Sequence, residues 1–308
     1  MGGRFLSIGE CMVELSQAGE GLLRKGFAGD TFNTAWYARA CMPADWSVEY
    51  FTALGDDPLS NDMLAMIENA GIGTKNVRRI EGGTPGLYLI TLKDGERTFS
   101  YWRDTAAAKK LADEADHLRQ AIEAADIVYF SGITLGILSP DAVETLLSEL
   151  RRAKAAGKVV AFDPNIRPRL WPKGETGRQY MLKTIEDGAR AATLVLPSFD
   201  DEKTHFGDAT VEDTLAHYKN LGVENVVVKN GGDGVTLSFG NAPVTHVPAV
   251  KAPAVVDTTS AGDSFNGGFL ARLVTGASPE LAAAHGAAVA TSVIGHHGAL
   301  ISPELLPK

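Results

Sequence analysis

A chain of 308 residues, 44% hydrophobic and 22% charged, can bury a core of its own without disulfide or metal staples. Its 29 basic against 38 acidic side chains leave a net charge of −9, which repels a phosphate backbone and excludes nucleic acid as the expected partner. Two cysteines, Cys11 and Cys41, form no CxxC and fit no zinc spacing, which points to a reducing, cytoplasmic compartment rather than a secreted scaffold.

The first apolar run ends at Glu10 and Glu14, unlike a signal peptide. No window approaches about eighteen consecutive apolar residues, so no membrane span is expected. The stretch from Cys11 to Leu23 reads as part of a small sheet. Gly29-Asp30-Thr31-Phe32-Asn33 opens a helix, where Asp30 and Asn33 can bind sugar hydroxyls, or Asp30 or Thr31 can simply cap the helix. Residues 84–103 read as a hairpin with Asp94-Gly95 at its tip, and strand alternation puts Phe99, Tyr101 and Arg103 on one face. Together these two excursions, near 11–30 and 84–104, suggest a small β-sheet lid on a single domain spanning 1–308.

From Ile127 onward, short β-branched runs alternate with helical patterns, the signature of a doubly wound, mainly parallel α/β sheet. Strands are predicted at Ile127–Phe130, Val159–Phe162, Thr193–Leu196 and Val226–Lys229. Helices are predicted at Leu111–Ala124, Asp141–Ala156 (after Ser139-Pro140), Thr176–Ala189 and Glu212–Leu221.

Ligands of such sheets bind beyond the carboxyl ends of the strands, so the segments that follow them carry the functional reading. Asp163-Pro-Asn165-Ile-Arg167 follows one strand; Asp163 or Asn165 can touch phosphate or the water shell of a metal, and Arg167 can fork onto a carboxylate. Arg103 on the hairpin would be a second such fork, and two forks suit an acidic sugar better than a neutral one. Lys229-Asn-Gly231-Gly232-Asp233-Gly234 follows another strand and can approach a nucleotide phosphate, or be a hairpin turn without a ligand.

The most informative string is Asp257-Thr-Thr-Ser260-Ala261-Gly262-Asp263-Ser-Phe, a small-residue turn that opens an apolar helix. The unpaired N–H groups of Ser260, Ala261 and Gly262 at the positive helix end can hold an anion such as a transferring phosphoryl group. Asp263 beside them can accept the proton of an attacking hydroxyl. No P-loop, HRD, DFG, GxSxG or HExxH motif occurs, and His296-His297 lacks further ligands at metal spacing.

DTTSAGDSF resembles the C-terminal signature of the ribokinase-like (PfkB) carbohydrate kinases. In chain order, Ser7-Ile-Gly-Glu-Cys-Met-Val-Glu-Leu, Ala28-Gly-Asp-Thr-Phe-Asn, Pro85-Gly-Leu-Tyr, Arg97-Thr-Phe-Ser-Tyr-Trp-Arg and Asp163-Pro-Asn-Ile-Arg-Pro-Arg-Leu-Trp resemble the branch that phosphorylates 2-keto-3-deoxygluconate. The resemblance implies a ribokinase-like central sheet flanked by helices, a β lid, and ATP-dependent transfer to the C6 hydroxyl of that sugar acid. It assigns Asp263 as catalytic base with Ser260, Ala261 and Gly262 as the anion hole. Substrate contacts fall on Gly29, Asp30, Asn33, Tyr88, Tyr101, Arg103 and Arg167. ATP contacts fall on Asn165, Ser198, Lys229, Gly231, Gly232, Asp233, Gly234 and Gly262. The family's usual Asn-x-x-Glu element falls on Ser198 and Asp201, which makes Asp201 the metal residue, for Mg²⁺ held through water, and a monovalent cation is a further expectation. A homo-oligomer formed through the outer face of the lid sheet is also implied. The alternatives are a kinase of a neutral sugar such as fructose or ribose, and a non-catalytic sugar-acid sensor.

Overall fold

The computed structural model describes residues 2–93 and 96–307. In chain order the strands are β1 (Arg4–Ile8), β2 (Met12–Gly19), β3 (Leu22–Ala28), β4 (Ser47–Leu54), β5 (Val77–Arg79), β6 (Leu87–Lys93), β7 (Glu96–Trp102), β8 (Ile127–Ser131), β9 (Val159–Asp163), β10 (Leu194–Val195), β11 (Asn225–Lys229), β12 (Val235–Phe239) and β13 (Thr245–Val247). The helices are α1 (Asp30–Cys41), α2 (Pro58–Asn69), α3 (Ala115–Ala124), α4 (Gly132–Ile137), α5 (Pro140–Ala155), α6 (Glu175–Ala191), α7 (Phe199–His205), α8 (Val211–Asn220), α9 (Ala261–Val274) and α10 (Pro279–Ile294). The predicted elements from residue 111 onward are all present with shifted ends. The strand expected over Thr193–Leu196 shortens to β10, and a 3₁₀ turn over Ala107–Lys110 delays the helix expected from Leu111 until Ala115.

The large sheet has the order β13-β12-β11-β10-β9-β8-β1-β4-β5, parallel except where β12 and β13 run antiparallel at one edge. Its central strands are buried on both faces, as parallel strands covered by crossover helices must be. In β11, Val226 and Val228 pack into one core while Val227 packs into the other. The first core joins Phe130 and Phe162 to Leu118 of α3, Leu146 of α5, Ile185 of α6 and Tyr218 of α8. The second joins Phe5 and Ala161 to Phe32 of α1, Met63 of α2, Phe269 of α9 and Ala282 of α10. The result is a three-layer α/β arrangement in which α1 lies against α9, and that contact builds the site below.

The small sheet has the order β3-β2-β6-β7. Its outer pairs are antiparallel, as the hairpin reading requires, while β2 and β6 run parallel. The expected Asp94-Gly95 tip lies outside the described residues. Among the described residues no helix is long and apolar enough to cross a membrane.

Candidate active site

The turn before α9 is pinned by Asp257, which accepts hydrogen bonds from the backbone N–H groups of Thr259 at 3.0 Å and Gly298 at 2.8 Å. Ser260 then adopts the left-handed conformation (φ 64°), which costs a non-glycine residue about 1 kcal/mol. Its hydroxyl oxygen is buried without a hydrogen-bond partner among the described residues. The Ala261 N–H, expected in the anion hole, donates instead to Thr258 O at 3.2 Å. The N–H groups of Gly262 and Asp263 remain in the first helical turn, at the positive dipole end and without partners in the helix. Lys229 adds positive charge there, for its Nζ would lie 3.6 Å from a Cβ placed on Gly262.

Asp263 is held by α1: Asn33 Nδ2 donates to its Oδ2 at 2.9 Å, and Thr34 Oγ1 donates to its carbonyl at 3.2 Å. Withdrawal from water pushes its carboxyl up to about 7, reinforced by the charges of Asp30 and Asp163 and opposed by Asn33 and Lys229. Such a group sits where a general base for neutral pH should. Asp30 is buried, accepts from Asn165 Nδ2 at 2.9 Å, and is likewise raised by burial. The capping reading of Asp30 and Thr31 is corrected: Gly29 is the N-cap, and no side chain caps α1. A Cβ at Gly29 would come within 2.1 Å of Glu10 O, so the chain can pass there only as glycine.

Beneath Asp263 lies a network that the sequence did not announce. Asn266, one helical turn further along α9, donates to Asp163 Oδ2 at 2.6 Å and to Tyr129 Oη at 3.1 Å, and accepts from Lys229 Nζ at 3.1 Å. Lys229 Nζ also pairs with Asp163 Oδ2 at 2.7 Å. The middle of β8 and the carboxyl ends of β9 and β11 are thereby tied to the helix that carries Asp263. Asn266 was legible only as a polar residue in an apolar helix.

The glycine cluster forms a 3₁₀ turn, Gly231–Asp233, joining β11 to antiparallel β12, so it is a hairpin turn in its topology. Gly231, Gly232 and Asp233 are exposed, and a Cβ on Gly231 or Gly232 would meet nothing within 4 Å. Ser198 lies beside this turn, bridged to Lys229, and is the N-cap of α7.

A cavity of about 50 Å³ lies at the junction of the two sheets, lined by Glu10, Gly29, Asp30, Tyr101, Arg103, Arg167 and Arg169 among others. Tyr88 does not line it; its hydroxyl donates to Glu14, and its ring stacks on Tyr101 at 5.8 Å. Both expected cationic forks carry carboxylate partners. Arg103 pairs with buried Glu10, and Arg167 pairs with Asp201 Oδ2 at 3.2 Å. Asp201, expected as the metal residue, therefore has one oxygen engaged by an arginine and by the Ile166 N–H. Glu10 and Arg169 were not singled out from the sequence. Each lies inside a quoted motif, but nothing local distinguishes it from its neighbours.

Comparison with known proteins agrees with this arrangement. Residues 4–305 match the pfkB family carbohydrate kinase description. The chain is 44% identical to a 2-dehydro-3-deoxygluconokinase of Escherichia coli (strain K12) over 306 residues, covering 97% of each. Among solved structures, a PfkB protein from Polaromonas sp. JS666 superposes with a TM-score of 0.84 at 24% identity, over 98% of this chain and 99% of that one. A putative ribokinase II from E. coli in complex with ATP and Mg²⁺ gives 0.83 at 21%, over 97% and 94%. With its signature turn at the start of α9, its two sheets in the ribokinase-like arrangement and a family match along nearly its whole length, the chain belongs to the pfkB family of carbohydrate kinases.

Proposed function

We propose that this protein is a cytoplasmic ATP-dependent 2-dehydro-3-deoxygluconokinase that phosphorylates the C6 hydroxyl of 2-keto-3-deoxygluconate. The observation that carries the reading is the cavity at the sheet junction, where three arginines meet beside acidic hydroxyl acceptors, a composition suited to a polyhydroxy acid. The 44% identity to a relative of that name supports the same substrate.

In the proposed reaction Asp263 accepts the C6 hydroxyl proton as that oxygen attacks the γ-phosphorus, the new P–O bond forms, and the bond to the ADP oxygen breaks. The first-turn N–H groups of Gly262 and Asp263, with Lys229, face the charge on the transferring group. Ser260 and Ala261 shape that turn. Gly29, Asn33 and Tyr101 position the sugar, and Tyr88 supports Tyr101 from behind. The open space over Gly231 and Gly232, with Asp233 and Gly234 in the same turn and Ser198 bridged to Lys229 beside it, suits the nucleotide, and Asn165 is proposed to reach it from the end of β9.

Mg²⁺ bound with ATP would neutralise phosphate charge, and the hard carboxylate oxygen of Asp201 fits it through water. The small sheet serves as a lid, since Tyr101 and Arg103 reach the cavity from it. Its exposed Leu22 and Trp102 support a homo-oligomer, which sedimentation would test.

The deciding assay is ADP release by purified protein with Mg²⁺–ATP and 2-keto-3-deoxygluconate, its galactonate epimer, fructose or ribose, with and without K⁺. Turnover confined to the keto-deoxy acids upholds the reading. Preference for fructose or ribose overturns the substrate, and no ADP with any of the four overturns the kinase.

A further inference from the structure

We propose that Glu202, Asp208 and His217 form a binding site for a divalent transition-metal ion of the zinc type, which clamps α7 to α8. Each side chain offers one ligand atom, and the three atoms lie within 4.8 Å of one another. Asp208 Oδ2 and His217 Nδ1 are 3.9 Å apart. Tetrahedral zinc with nitrogen and oxygen ligands at about 2.1 Å needs its donors about 3.4 Å apart, so rotation of the side chains closes the set. None of the three lines the cavity at the sheet junction.

Glu202 is fully buried, and its Oε2 has no hydrogen-bond partner among the described residues. A carboxylate oxygen so placed is costly unless a proton or a cation meets it. The charges that act on it most strongly are those of Asp208, Asp201 and Asp163, all negative. A dication supplies the missing charge, because with two carboxylates and a neutral imidazole the whole set becomes electrically neutral. The imidazole selects the class of ion: Mg²⁺ and Ca²⁺ take oxygen ligands, whereas nitrogen beside carboxylate suits zinc and its neighbours.

Each donor is also held from behind, as metal ligands usually are. Tyr218 Oη donates to Glu202 Oε1 at 2.8 Å, which leaves Oε2 for the ion. Thr214 Oγ1 donates to Asp208 Oδ2 at 2.7 Å. His217 Nε2 faces Glu186 Oε1 of α6 at 3.6 Å, which favours the proton on Nε2 and turns the Nδ1 lone pair toward Asp208. The imidazole is packed against the rings of Phe206 and Tyr218, with centroids 4.6 and 5.0 Å away. Side-chain exposures of 11% at Asp208 and 17% at His217 give the ion a way in.

The test is equilibrium dialysis of the full-length protein, stripped with a chelator and free of nucleotide, against Zn²⁺ in an excess of Mg²⁺, with bound zinc counted by atomic emission. The wild type should hold one zinc per chain more than Glu202→Gln or His217→Gln. Glu202→Gln keeps the shape of the carboxyl group and should fold, which a melting curve without zinc checks. Glu186→Gln should keep the stoichiometry of the wild type with about 10-fold weaker binding, since it loosens His217 only from behind. With Co²⁺ in place of zinc, the wild type should show the visible absorption of a tetrahedral nitrogen and oxygen site, and His217→Gln should not. No zinc bound by the wild type, or zinc retained undiminished by either Glu202→Gln or His217→Gln, overturns the proposal.

Discussion

Asn33 donates to Asp263 Oδ2 at 2.9 Å, so the first turns of α1 and α9 meet at one carboxylate. A neutral amide fixes the direction of that carboxylate without quenching its basicity as a cation would. The carboxylate is therefore oriented and still able to take a proton near neutral pH.

Replacing the carboxylate tests its role most directly. Asp263→Asn is isosteric and should fold with an unchanged thermal midpoint and bind ATP. Its kcat should fall by about 10²–10⁴-fold, the usual contribution of a general base. Steady-state kinetics beside a melting curve checks both halves.

The pH profile follows from the raised carboxyl. Below about 7 Asp263 is protonated and cannot accept the hydroxyl proton, so kcat/KM should rise with pH and level off above that point. Asn33 holds the carboxyl lower by donating to its ionised form. Asn33→Leu should therefore move the rising limb to higher pH, which a rate profile across the neutral range would show.

The pair of Lys229 and Asp163 is almost closed to water, with side-chain exposures of 12% and 5%. Lys229→Met should destabilise the protein by about 3 kcal/mol in urea denaturation, because Asp163 is left buried without its cation. Adding Asp163→Asn to that variant should recover part of the loss. Equal losses in the single and double variants would show that the two groups do not interact energetically.

Gly267 lies where α9 crosses α1, and a Cβ there would come within 2.7 Å of Thr34 O and Tyr37 Cβ. Gly267→Ala should cost about 1–3 kcal/mol of stability through overpacking. It should also lower kcat, because the helices it forces apart carry Asn33 and Asp263. Denaturation and turnover measured on one preparation would show both effects.

The sheet was legible where burial on both faces makes a strand a continuous β-branched run, as at Val226–Val228. The rule that ligands lie beyond carboxyl strand ends then located Asp163 and Lys229, and the small-residue turn located Asp263. What stayed hidden depends on partners distant in sequence. Glu10 meets Arg103 across 93 positions, and nothing in either segment reveals that the arginine is already neutralised. Tyr88 pairs directly with Tyr101 across the expected hairpin, but neither the hairpin pattern nor the resemblance that made it a substrate contact could show its hydroxyl turned to Glu14. Ala261 was counted as an anion donor from its position alone, and the turn geometry that occupies its N–H is a property of the folded chain.

The contact between Asn33 and Asp263 joins positions 230 apart. Closing so long a loop is slow compared with forming local helices and hairpins, and here it cannot begin until the C-terminal helices have been made. A nascent chain released before α9 would contain the small sheet, every arginine of the cavity and all nine strands of the large sheet. It would still leave Phe32 and its neighbours on α1 without the helix that covers them. Synthesis thus delivers the whole lining of the cavity well before Asp263, and the interval between them is when the exposed apolar flank of α1 is most open to aggregation.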